Sequence, residues 1–154
     1  METVVRSKTQ KVVISPERPT VIIGERINPT GKKLLAQALA DKDMARIQRL
    51  ALQQVSEGAD VLDVNVGAAG VDEVELLPMA VRAVMDVVDV PICVDSANPE
   101  ALRAALRIVE GKALINSVNG EERSLARVLP LVKEFGTAVI GLCMDDAGIP
   151  ATVE

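Results

Sequence analysis

Five short runs of apolar, mostly β-branched residues recur along this chain, and segments with helical spacing separate them. None of the runs alternates apolar with polar residues, as a strand with one face in water would. Near-continuous apolar runs are typical of parallel strands that are covered on both faces. The runs lie at residues 20–24, 59–65, 91–95, 112–116 and 137–143.

The segments between the runs predict amphipathic helices. Apolar stripes at helical spacing occur within residues 47–55, 76–88 and 102–109, and a last helix is expected over 121–135. Asn98 and Pro99 supply a cap residue followed by a proline at the first helical position. Gly58 and Gly111 are the expected ends of two of the helices. Pro130 predicts either a kink or two short helices in the last segment.

The alternation of strand and helix predicts an α/β fold with a parallel sheet and right-handed crossovers. Ahead of the first run, residues 3–5 and 11–14 are weakly alternating, and the turn-forming segment 15–19 follows them. We therefore expect residues 1–19 to form a small N-terminal hairpin or plug. Residues 20–154 are expected to form the main domain.

Composition excludes several classes of function. The absence of histidine removes Ser-His-Asp and Cys-His catalysis and most zinc sites, so we expect no metal centre. A net charge of −5 and a single aromatic residue, Phe135, argue against nucleic-acid binding. Cys93 and Cys143 lie in apolar runs and are expected to be buried, reduced thiols. No signal peptide and no window of roughly 18 apolar residues is present, which predicts a cytoplasmic protein without a membrane span.

Polar residues gather where each apolar run ends. Parallel strands place these ends on one edge of the sheet, so the side chains should converge there. A buried carboxylate without a partner is costly, and a set of them suggests a ligand that donates hydrogen bonds. The candidate binding residues are Asn28, Asp63, Asn65, Asp95 and Asn116.

Carboxylates beside carboxamides suit a planar heterocycle whose edge carries both donors and acceptors, as a pterin does. Two other interpretations remain open. Asn98, Asp145 and Asp146 have a strong alternative as helix caps or solvated loop residues. Phosphate binding is a weak possibility, suggested only by Gly24, Arg26, Gly31, Lys32 and Lys33.

Five motifs in order along the chain resemble those of the pterin-binding family. They are Gly-Glu-Arg-Ile-Asn-Pro-Thr-Gly at 24–31, Asp-Val-Asn-Val-Gly at 63–67, Val-Asp-Ser at 94–96, Ile-Asn-Ser at 115–117 and Gly-Leu-Cys-Met-Asp-Asp-Ala-Gly-Ile-Pro at 141–150. Each motif is weak alone, but five in sequence, each at a strand end, are specific. The family includes methyltetrahydrofolate–corrinoid methyltransferases, the folate module of cobalamin-dependent methionine synthase and, more distantly, dihydropteroate synthase.

The resemblance implies a (β/α)8 TIM barrel with a pterin at its C-terminal mouth. Asp95 and Asn116 would hydrogen-bond the pyrimidine edge of the pterin, whereas Asn28, Asp63 and Asn65 match motifs whose roles are less specific. The implied reaction transfers the N5-methyl group of methyltetrahydrofolate to the cobalt of a corrinoid (cobalamin) on a partner protein or domain. The Gly-Glu-Arg-Ile-Asn motif favours this branch over the synthase. The full-length form is compatible with a homodimer.

This chain departs from the family in length. Family members continue through three more βα units, which carry further pterin contacts, including one near N5. The expectation is therefore a partial barrel with about the first five βα units, in a fragment or truncated reading frame that is inactive alone. The alternatives are a non-catalytic pterin-binding remnant and a dihydropteroate synthase-like enzyme. The catalytic residues stay unassigned.

Overall fold

The computed structural model describes residues 2–152, in which seven strands and five helices form. Their order places a helix or a pair of helices between each two strands from the third strand onward. The elements are β1 Thr3–Arg6, β2 Lys11–Ile14, β3 Ile23–Ile27, α1 Lys33–Ala40, α2 Met44–Ser56, β4 Val61–Val64, α3 Glu73–Met85, β5 Ile92–Asp95, α4 Pro99–Leu106, β6 Leu114–Val118, α5 Glu122–Phe135 and β7 Ala138–Gly141.

One sheet contains β3 to β7, hydrogen-bonded in the order β3-β4-β5-β6-β7. Every neighbouring pair in this sheet is parallel. The predicted α/β fold with a parallel sheet in chain order is thus confirmed. Strands β3 and β7 form its two edges, so the described residues make a partial barrel.

The two faces of the sheet pack against different partners, which explains why the strands read as continuous apolar runs. One face packs against the helices through residues such as Leu62, Val94 and Ile115. The opposite face forms a smaller buried cluster of Val61, Cys93, Leu114 and Val5 of β1. We call this second surface the inner face. Because side chains alternate along a strand, both sets of positions must be apolar.

The hairpin formed by β1 and β2 covers one end of the inner face. The two strands pair antiparallel from Thr3–Ile14 to Arg6–Lys11. Arg6 and Lys112 exchange two backbone hydrogen bonds of 2.9 Å each. Since Lys112 precedes β6, the hairpin sits at the N-terminal end of the sheet. The opposite end, where the polar strand ends lie, is left open.

The first strand of the parallel sheet lies three residues later than predicted, at Ile23–Ile27 rather than 20–24. The backbone of Ile22 is already engaged by Asp60, whose carboxylate accepts from the Ile22 amide at 2.8 Å and whose own amide donates to the Ile22 carbonyl at 2.9 Å. Regular pairing therefore begins only at Ile23, opposite Val61. A register shift between Gly24 and Ile27 then interrupts it.

Three predictions about the helices need correction. Helix α1 was not predicted at all. Helix α4 begins after its predicted cap, Asn98, but ends at Leu106, so Gly111 is not its terminator. Helix α5 is a single helix despite Pro130. The carbonyl of Ala126, four residues earlier, loses its partner there, but this side of the helix is exposed and water can replace the lost hydrogen bond.

The prediction of two buried thiols is half wrong. Cys93 is fully buried on the inner face, but Cys143 is exposed, because β7 ends at Gly141 and the chain beyond it runs over the surface. Within residues 2–152, the helices are all too short or too polar to span a bilayer.

Candidate functional site

The polar residues Asp63, Asp95 and Asn116 share the inner face at the open end of the sheet. Asp95 of β5 is in register with Asn116 of β6. Asp63 of β4 is in register with Cys93, two residues before Asp95, so its carboxyl lies one layer deeper. Two layers of polar side chains therefore continue the inner face above the apolar cluster.

Asp95 is half-buried and is held by a carboxamide. Asn65 donates from Nδ2 to Asp95 Oδ2 at 2.9 Å, while its own Oδ1 accepts from the Gly67 amide at 2.7 Å. The second bond fixes which end of the Asn65 amide faces Asp95. Burial raises the pKa of Asp95, as do the neighbouring Glu25 and Glu73 carboxylates, although the bond from Asn65 opposes this.

Asp63 is almost completely buried, with 3% of its surface exposed. Its Oδ2 accepts a long hydrogen bond of 3.4 Å from Asn116 Nδ2. Its Oδ1 is the buried carboxylate oxygen without a hydrogen-bond partner in the described part of the chain. Burial raises the pKa of Asp63 to about 7, with further contributions from the Asp95 and Glu25 charges, against the opposing bond from Asn116. Near neutral pH the carboxyl is therefore about half protonated.

Asn28 lies outside this group, although the sequence predicted it as a site residue. Its Nδ2 donates to Glu25 Oε1 at 2.6 Å and its Oδ1 accepts from the Thr30 amide at 2.9 Å. Both ends of its side chain are thus occupied within its own loop. The other four candidates, Asp63, Asn65, Asp95 and Asn116, form two hydrogen-bonded pairs at the open end.

Glu25 is the residue that sequence reasoning left out of the candidate set. The register shift after Gly24 brings its carboxylate close enough to raise the pKa of both Asp63 and Asp95. Gln54 of α2 supports this irregular stretch, because its Oε1 accepts from the Arg26 amide at 2.7 Å. The available signal was the position of Glu25 at a strand end, within the same motif as Asn28.

A second glutamate, Glu73, approaches from the start of α3. Its Oε2 accepts from Ser96 Oγ at 2.6 Å, and the same hydroxyl oxygen accepts from the Asn98 amide at 3.0 Å. In the described range 2–152, neither Asp63 nor Asp95 accepts a hydrogen bond from a lysine or arginine. The site is therefore acidic and rich in acceptors.

A pocket of about 380 Å³ opens beside this cluster. Asp95 and Asn116 form part of its wall, together with residues from the start of α4 and of α5. Between residues 2 and 152, no group of three or more Cys, Asp or Glu side chains is arranged to hold a metal ion. The pocket suits an organic ligand with N–H groups better than a cation or a phosphate.

Gly24 does not act as a phosphate-binding glycine in this geometry. A Cβ at this position would lie 2.7 Å from Gln54 Oε1 and 3.1 Å from the Ala59 Cβ. The glycine thus permits close packing of α2 against β3, on the side of the sheet away from the polar cluster. This observation weakens the phosphate alternative.

Comparison with known proteins identifies the family. The family model described as "Pterin binding enzyme" matches residues 24–154. The chain is 37% identical over 139 residues to a methylcorrinoid:tetrahydrofolate methyltransferase of Eubacterium limosum, covering 87% of this chain and 50% of that protein. It is 33% identical over 144 residues to a methionine synthase of Mycobacterium leprae, covering 90% of this chain and 12% of that protein.

Solved structures agree on the fold. A dihydropteroate synthase from Thermus thermophilus, crystallised with 6HMPPP, superimposes with a TM-score of 0.55 at 23% identity, covering 89% of this chain and 48% of that chain. The chain spans about half the length of the methyltransferase and of this synthase. The motifs at the strand ends, the parallel sheet and the matched family model lead to one conclusion: the chain belongs to the pterin-binding enzyme family.

Proposed function

We propose that this chain binds methyltetrahydrofolate by its pterin ring and serves in transfer of the N5-methyl group to the cobalt of a corrinoid held on another protein or domain. The observation that carries the proposal is the adjacent pair Asp95 and Asn116 at the open end of the inner face, with the buried acceptor Asp63 behind them. The names of the methyltransferase and methionine synthase relatives support the same reaction class.

The two side chains complement the edge of a pterin. The Asp95 carboxylate accepts from the amino group and the ring N–H, and Asn65 holds that carboxylate in place. Asn116 donates from Nδ2 to Asp63, which leaves its Oδ1 free to accept from the ligand. Supporting bonds of this kind hold the first contacts in a single geometry, which is what a positioning site requires.

The chemistry asks little of the protein beyond position and charge. The methyl group leaves as a cation equivalent to the cobalt nucleophile that the corrinoid supplies, and the N5–CH₃ bond pair remains on nitrogen. A positive charge on N5, from protonation or a hydrogen bond, makes that nitrogen a better leaving group. The acidic surroundings formed by Glu25, Asp63 and Asp95 favour such a charge. No covalent nucleophile is needed, in keeping with the absence of histidine.

A dihydropteroate synthase-like reaction is the nearest alternative enzyme activity. The typical synthase motif Asn-Val-Thr-Pro-Asp-Ser-Phe does not follow the first strand of the parallel sheet; Gly-Glu-Arg-Ile-Asn occupies that region instead. The likeness to the synthase structure concerns the fold. A non-catalytic pterin-binding role is separated from the proposed one by the transfer assay, since both predict pterin binding.

The proposal predicts that Asp95→Ala weakens methyltetrahydrofolate binding at least about tenfold, because a ligand N–H pair loses a charge-assisted acceptor. Isothermal titration calorimetry measures the affinity directly. Asp41→Ala is the matched control, since Asp41 is exposed at the end of α1 and lies outside the pocket.

Unchanged affinity in Asp95→Ala, with normal circular dichroism, would remove Asp95 from the pterin site. Methyl transfer itself is followed spectroscopically as methylcobalt formation with a reduced corrinoid protein. Ligand binding without any transfer would support the non-catalytic alternative.

A further inference from the structure

Two arginines form part of the wall of the pocket that also contains Asp95 and Asn116. Arg123 and Arg127 lie four residues apart on α5 and therefore project from the same side of the helix. Both are exposed, and neither joins any of the ion pairs observed between residues 2 and 152. The pocket thus combines an acceptor-rich part with a cationic part.

The first turn of α5 is fastened to the loop that follows β6. Ser124 Oγ accepts from the Asn119 amide at 3.1 Å, and Asn119 Oδ1 accepts from the Glu121 amide at 3.2 Å. The Gly120 amide donates to the Met144 carbonyl at 2.7 Å, which ties the same loop to the segment after β7. The backbone that carries the two arginines is therefore held at a defined place relative to Asn116.

The rest of the wall contains apolar surface and one further charge. Ala97, Pro99 and Leu142 contribute carbon atoms, and Leu142 is 46% exposed. Glu121 also lines the pocket, so the two arginines balance the charges of Asp95 and Glu121. An acceptor cluster, an apolar surface and a cationic pair in one pocket match a ligand with an N–H edge, an aromatic ring and carboxylates.

We propose that Arg123 and Arg127 bind the glutamate tail of the folate and so make the site prefer a folate over a bare pterin. The inference rests on the proposed function and assigns the second end of the same ligand. Beyond its pterin, methyltetrahydrofolate carries an aminobenzoyl ring and a glutamate with two carboxylates. Arginine is the side chain best suited to these groups, because its planar guanidinium makes two parallel hydrogen bonds to a carboxylate. In a chain of net charge −5, an anionic tail needs such local cations.

The test compares two ligands in the full chain: methyltetrahydrofolate, and a 5-methyltetrahydropterin that has the same ring without the benzoylglutamate. Wild-type protein should bind the folate at least about tenfold more tightly, as expected for charge-assisted bonds to the tail. Arg123→Gln combined with Arg127→Gln should lower this preference to about twofold, while affinity for the tail-less pterin stays the same. The preference should also fall as ionic strength rises.

The matched control combines Arg49→Gln with Arg107→Gln, which removes the same charge from exposed positions outside the pocket. This control should keep the full preference for the tail. Equal loss of affinity for both ligands in the Arg123/Arg127 variant would overturn the assignment. So would unchanged affinity for both, and in that case slower transfer to the corrinoid protein would instead place the pair at a partner-docking surface.

The two proposals fail in different ways. Wild-type protein that binds neither ligand would overturn the proposed function and this inference together. Wild-type protein that binds both ligands equally would leave pterin binding intact and contradict only the role of the arginines. Asp95→Ala should weaken both ligands alike, which separates the pterin end of the pocket from the tail end.

Discussion

Replacing Asp63 with asparagine is expected to remove a pH dependence from the stability of this protein. The folded state raises the pKa of Asp63 from 3.8 to about 7, so between these values the folded state binds more protons than the unfolded state. The wild-type free energy of unfolding should therefore fall as pH rises through this range and level off above pH 7. From pH 5 to pH 8 the fall should be about 2.5 kcal/mol, at about 1.4 kcal/mol per pKa unit.

Asparagine cannot ionise, so Asp63→Asn should show no such fall from this site. The measurement is urea denaturation of both proteins across pH 5 to 8. Its interpretation is helped by the absence of histidine, because no imidazole titrates in the window. Asp41→Asn, at an exposed carboxylate, is the control and should leave the wild-type pH dependence in place. Parallel curves for wild type and Asp63→Asn would show that Asp63 ionises normally.

This instability has a functional reason within the proposed site. An ionised Asp63 is costly because one of its oxygens has no partner, and the next layer contains another carboxylate, Asp95. The same carboxyl accepts the hydrogen bond that orients Asn116. A variant that gains stability at pH 8 should therefore bind the pterin less well if it turns the Asn116 amide. Stability and ligand geometry would then oppose each other at this residue.

Gly111→Ala is expected to destabilise the protein by about 3 kcal/mol or more, although Gly111 lies outside every helix and strand. Its φ of +110° is a conformation that other residues rarely adopt. A Cβ at this position would overlap the carbonyl oxygen of Arg6 and lie 2.7 Å from that of Ser7. The substitution should therefore push β1 away from Lys112 and uncover Val5, which is now fully buried on the inner face.

Gly136→Ala is the matched control, because Gly136 also has a positive φ of +63° but no atom lies within 4 Å of the added Cβ. It should cost only about 1 kcal/mol, which is the cost of the backbone conformation alone. Urea denaturation gives both values, and faster amide exchange at Val5 in Gly111→Ala reports the displaced hairpin. Equal losses in the two variants would show that contact with the hairpin contributes nothing.

The architecture of this protein was largely predictable from its sequence. The strands of the parallel sheet are continuous apolar runs, and Asp72 and Asn98 cap the helices that follow β4 and β5, so the information is local. The meeting of Asp95 with Asn116 also follows from the sequence, because parallel strands place their C-terminal ends on one edge. Five motifs at such ends were enough to indicate the pterin-binding family before any coordinates.

Other features depend on contacts between segments far apart in the chain. The depth of Asp63, and with it the raised pKa, follows from the register that pairs it with Cys93. Glu25 reaches the site through a register shift that Gln54 of α2 supports, while Asn28 turns back into its own loop. Gly111 is needed because a hairpin from the other end of the chain passes beside it. Register and close approach are set by packing between distant elements, so local sequence patterns do not contain them.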